Sequence, residues 1–69
     1  MADPQTLADL ITATRNRTLT WSDHPDPQAM WHGRLVFIGR LNGVYIRTRM
    51  GWDQIGVSPE LRHAIEATR

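Results

Sequence analysis

The dipeptide Asn42-Gly43, set between the apolar residues Leu41 and Val44, constrains this chain more than any other feature. Asn-Gly supplies two residues that accept positive φ, which a two-residue type I′ hairpin turn demands. The sequence around it, from Ala29 to Trp52, is strand-like, rich in β-branched and aromatic residues. A two-residue loop pairs Leu41 with Val44, and counting outward pairs Arg40 with Tyr45, Gly39 with Ile46, Ile38 with Arg47, Phe37 with Thr48 and Val36 with Arg49. Side chains alternate across a strand. The spacing therefore puts Trp31, Leu35, Phe37, Leu41, Val44 and Ile46 on a core face, and Arg34, Val36, Ile38, Arg40, Tyr45, Arg47 and Arg49 on the opposite one. Met50-Gly51 reads as a second turn, which sets Ile55 opposite Ile46 and Val57 opposite Val44 on the core side, with Trp52 beside Arg49 on the basic face.

Helix signals flank this stretch. Asp3-Pro4 offers a cap followed by proline at the first helical position, and Leu7, Leu10, Ile11 and Thr14 follow as an apolar stripe, so a helix is expected to run from about Pro4 to Arg15. Asn16 is the expected left-handed cap. Ser58-Pro59-Glu60 repeats the start signal, with Leu61, Ala64, Ile65 and Thr68 as the buried stripe and Arg62 and Glu66 at i, i+4 on the wet side. Thr18–Ser22 alternates like a short strand, and Asp23-His24-Pro25-Asp26-Pro27 must be a loop because its prolines remove donors. The expectation is an α+β fold: an antiparallel three-stranded meander, with a short fourth strand as an option, and both terminal helices packed on one face. The element order is α-(β)-β-β-β-α.

At 69 residues there is room for one core, so residues 1–69 form a single domain. At this size dimerisation or partner binding is a common way to gain burial. With 41% apolar and 22% charged residues and a mean hydropathy of −0.42, the composition is that of a globular protein, not of a disordered chain or a membrane span. The N-terminus has no secretory pattern and the chain has no cysteine, so the expected compartment is the cytoplasm. The formal charge of +1 is unevenly placed: residues 34–57 carry Arg34, Arg40, Arg47 and Arg49 against Asp53 alone. Every basic residue is arginine, the cation suited to planar contact with carboxylate or phosphate.

Catalytic and metal chemistry find little support. Asp23, His24, Asp26 and His32 are close in sequence but lack thiolates or a zinc-type histidine spacing, and they read as turn and strand residues. His63 sits beside the apolar stripe of the last helix. No nucleophile elbow surrounds Ser22 or Ser58, and the five glycines have no phosphate-loop spacing. Neither an enzyme nor a metal or organic cofactor is expected.

What remains is the face on which Arg34, Arg40, Arg47 and Arg49 interleave with Tyr45 and Trp52, combining charge with stackable rings. The element order resembles the α-β-β-β-α plan of double-stranded-RNA-binding domains in topology. Where those domains carry a lysine cluster at the start of the last helix, this chain reads Ser58-Pro59-Glu60-Leu61-Arg62, and no function is carried over. An arginine and tryptophan sheet face is also similar to the reading surface of sheet-type DNA-binding domains such as plant ethylene-response factors and integrase arm-binding domains. The expected function is a non-enzymatic binding module for an anionic partner, nucleic acid ahead of protein. The alternative is an accessory or inhibitor protein, of the kind that small phage and mobile-element genes encode, docking on an acidic protein surface.

Overall fold

Two β-branched pairs decide which way the sheet faces. Val36 stands opposite Ile46 and Ile38 opposite Val44, and all four are enclosed. The computed structural model describes residues 6–23 and 25–68. These form an α+β fold in the order α1 (Leu7–Arg15), β1 (Gln28–Trp31), β2 (Arg34–Ile38), β3 (Gly43–Thr48), β4 (Gly51–Val57) and α2 (Pro59–Thr68). The strands make one antiparallel sheet in chain order. Leu10, Leu61 and Ile65 of the two helices close over Val36, Ile38, Val44 and Ile46 on one face, and Trp31 completes that core.

The fourth strand is a hairpin that sequence reading ran through. His32 and Gly33 both have positive φ, 50° and 78°, so they form a type I′ turn that pairs Trp31 with Arg34. The expected strand at Thr18–Ser22 does not form. Leu19 and Trp21 still pack against the core, so the alternation reported burial correctly. Ladder pairing is another matter: Ser22 and Gln28 exchange hydrogen bonds, one of them through the Ser22 side chain, and no strand is formed there.

The register across the central hairpin differs from expectation by three residues: Ile38 meets Val44, not Arg47. Positive φ falls on Leu41 (61°) and Asn42 (59°), and the connection spans Gly39 to Gly43, closed by the Gly39 N–H donating to the Gly43 carbonyl at 2.8 Å. Gly43 serves space, not turn geometry. Its φ is −67°, and a Cβ there would lie 2.9 Å from Cε2 of Tyr45, whose ring also crowds Gly39. Asn42 is held by α2: the Ser58 N–H donates to its carbonyl and Arg62 Nε–H to its Oδ1, both within 2.9 Å. Arg62 therefore turns toward this loop, not toward solvent with Glu66.

A shift by an odd number exchanges the faces of a strand. Val36 and Ile38 go to the core, while Leu35 and Phe37, expected there, lie on the open face, and Leu41 stands 91% exposed in the loop. The second turn is Arg49-Met50, pairing Thr48 with Gly51 (φ 122°). That differs from expectation by two residues, so the face of Trp52 is preserved. A bulge at Ile55 follows, and it moves Val57 opposite Gly43 onto the open side; Ile55 packs on the core but not opposite Ile46, whose partner is Asp53.

At the helix ends, the expected start at Asp3-Pro4 lies outside the described residues; α1 begins at Leu7, capped by Thr6, whose Oγ1 accepts from the Asp9 N–H. At its far end Arg17, not Asn16, takes the left-handed conformation (φ 58°). Ser58 caps α2 as expected, its Oγ accepting from the Leu61 N–H at 2.9 Å.

Candidate functional site: the open face of the sheet

Since both helices lie on one side, no described helix covers the other side of the sheet. β2 and β3 bring Phe37 and Tyr45 directly opposite each other, and their rings stack with centroids 5.1 Å apart. Trp52 from β4 meets the Phe37 ring edge-on at 4.8 Å. Arg47, the cross-strand partner of Trp52, lies over its indole with the guanidinium carbon 5.3 Å from the ring centroid. Each contact is of a kind that contributes roughly 0.5–1.5 kcal/mol and fixes ring orientation. The result is an ordered aromatic row across three strands with one cation at its end.

Apolar side chains extend this row. Met30 and Val57 are 61% and 59% exposed and Trp52 is 43% exposed, while Leu35, Phe37 and Tyr45 are half-buried only by their neighbours. Beside β1 a shallow groove of about 350 Å³ runs between Trp21 and Met30, floored by Leu35, and continues the apolar surface past the sheet edge. Gln54 joins the face opposite Tyr45. Among the described residues this face carries no carboxylate; Asp53 pairs with the buried Ile46 and points to the other side.

Of the six residues expected to form the site, Tyr45, Arg47 and Trp52 share this face. Arg49 sits exposed in the adjoining turn. Arg34 pairs with buried Trp31 and so lies on the helix side, half-buried at its rim. Arg40 is exposed in the Gly39–Gly43 connection, at the opposite end of the meander from Arg47 and Arg49. The face is thus aromatic and apolar with one arginine on it, not the arginine stripe expected from the Leu41–Val44 pairing. Sequence reading missed Met30, Leu35, Phe37 and Val57. The signal that could have found the first three was His32-Gly33: histidine is among the residues enriched at positive φ, and a hairpin there divides a run longer than the ~5–6 residues usual for one strand.

No three histidine or acidic residues among those described gather as metal ligands, and no helix among them is long and apolar enough to cross a membrane. No family model, curated protein or solved structure matches this chain.

Proposed function

We propose that this chain is a non-enzymatic binding module whose open sheet face docks on a protein partner. One observation carries the reading: among the described residues the face pools Met, Phe, Tyr, Trp and Arg while holding no carboxylate, the composition that distinguishes interface centres from ordinary surface. Exposed apolar side chains scattered singly need no explanation, but a contiguous patch does. Charge supports an acidic partner. Arg47 on the face and Arg49 at its margin suit an apolar surface rimmed by carboxylates, the acidic partner of an accessory or inhibitor protein. Arg47 is already oriented by Trp52, so less ordering entropy is lost on contact.

A second reading rests on a separate observation: Arg47 over Trp52, with Arg49 in the next turn, resembles the pairing of cation and ring that holds single-stranded nucleic acid. Site-specific photo-crosslinking separates the two. A benzophenone side chain at Met30 or Gln54 is expected to trap a discrete protein in cells that express the chain, with loss of the adduct in the Arg47→Asp background and no adduct from the same probe at Glu66. A nuclease-sensitive adduct, with a log K against log salt slope near −1.4 for about two phosphate contacts on a single strand, would transfer the assignment to nucleic acid. Equal trapping from Glu66 would remove the open face from the function altogether.

A further inference from the structure

A second concavity adjoins the groove beside β1 across Thr20 and Trp21, where the C-terminal turns of α1 and α2 meet the segment that follows α1. It encloses about 300 Å³ and is half-open to solvent, at the lower limit of small-molecule sites. Leu19 and Trp21 form one wall and Ile65 the other. The indole is fixed: its Nε1–H donates to Thr14 Oγ1 at 3.0 Å, and that hydroxyl donates in turn to the Leu10 carbonyl at 2.9 Å. The indole of that wall is therefore oriented before any ligand arrives.

The polar groups specify what fits. Thr68 Oγ1 spends its hydrogen on the carbonyls of Ala64 and Ile65, and Thr14 Oγ1 is occupied as described. Among the described lining residues, Arg17 and Thr20 are the ones with side-chain donors not already spent. A ligand must bring an acceptor, and an anionic one to match the guanidinium.

Arg17 is also in an unusual backbone state. It occupies the left-handed position of the cap that ends α1, where its N–H donates to the Thr14 carbonyl and the Thr18 N–H to the Ala13 carbonyl, both at 3.0 Å. Glycine is the residue that position favours. A long cation is held there instead, at a helix C-terminus, where positive charge is favoured.

From these observations we infer that the cavity is a binding site for a small carboxylate with an apolar body: Arg17 and Thr20 hold the carboxylate, while Trp21, Leu19 and Ile65 enclose the body. The site shares Thr20 and Trp21 with the groove beside β1 but none of the residues of the aromatic row. The test is an amide and indole NMR titration of the full chain with phenylacetate, the neutral phenylacetamide serving as its isosteric control. Phenylacetate is expected to shift the Trp21 indole N–H and the Thr68 amide saturably and to leave unmoved the Trp52 indole and the Leu35 amide, which belongs only to the groove beside β1. Phenylacetamide should bind at least ~10-fold more weakly, the consequence of losing one charge-assisted contact. Arg17→Gly should lose phenylacetate affinity by a similar factor while its melting temperature holds or rises, which separates lost binding from lost folding. Arg17→Asn, which also tolerates the left-handed state, should reproduce the loss. Unsaturable shifts, equal binding of the amide, shifts led by Trp52, or retained affinity in folded Arg17→Gly would each overturn the proposal.

Discussion

The two faces of the sheet come from the same strands, yet they hold their side chains differently. On the covered face Val36, Ile38, Val44 and Ile46 are enclosed beneath the helices. On the open face Leu35, Phe37 and Tyr45 are only half-buried, the last two stacked on each other. Short β-branched side chains leave the sheet surface low enough for two helices to pack closely, and their few rotamers suit a fixed core. The longer aromatic chains lie down along the sheet and stack, a way to shield apolar area where no second layer exists. Both sets are apolar, so hydrophobicity does not separate them. Side-chain shape and the placement of the glycines do.

The largest expected effect falls on the covered face. Ile46→Asp buries a carboxylate opposite Val36 with no partner at hand; several kcal/mol of desolvation is about the whole stability of a domain this size. Circular dichroism should show an unfolded or barely cooperative chain. Arg47→Asp, the next residue on the opposite face, should melt within ~1 kcal/mol of the parent. A finer version uses β2, where the two registers disagree. Ile38→Ala should cost about 2–5 kcal/mol by opening a cavity, against roughly 1 kcal/mol for Leu35→Ala on the half-open face. The opposite ranking in urea melts would restore the Leu41–Val44 pairing.

How far these faces were legible follows from which residues carried unambiguous local signals. Ser58-Pro59 and the stripe Leu61, Ala64, Ile65 located α2 because capping and helical periodicity are local properties. Val44 and Ile46 were correctly placed in the core, and Tyr45, Arg47 and Trp52 on the open side. The faces of β2 were exchanged because Asn42-Gly43 satisfies the turn rule on paper while each residue serves another group: Asn42 the distant Ser58 and Arg62, Gly43 the ring of nearby Tyr45. Neither contact is visible before the chain is folded. Arg34 and Arg40 left the site with that register.

Gly43 offers a more discriminating test than either face alone. With φ at −67° alanine meets no backbone penalty, so Gly43→Ala isolates the clash with Tyr45, whose Cε2 would lie 2.9 Å from the new Cβ. Overpacking of this kind costs about 1–3 kcal/mol. In a Tyr45→Ala background the same change should cost close to nothing, and the double-mutant cycle should return most of the penalty as coupling. An equal cost in both backgrounds would mean that Gly43 is required for the turn itself, as its sequence context suggests.

The smallest effect on stability is expected where the functional effect is greatest. Trp52→Ala removes the edge contact to Phe37 and the stacking surface for Arg47, together about 1 kcal/mol at a ring 43% exposed. Trp31→Ala, by contrast, empties a site that is 3% exposed and should cost roughly 3–5 kcal/mol. A residue whose loss barely moves the melting curve while abolishing the crosslinked adduct from Met30 or Gln54 acts through its surface and not through the fold. If Trp52→Ala instead destabilised the chain as much as Trp31→Ala, the aromatic row would be a second core layer of the isolated domain. The open face would then owe its composition to folding, and the case for docking through it would lose its ground.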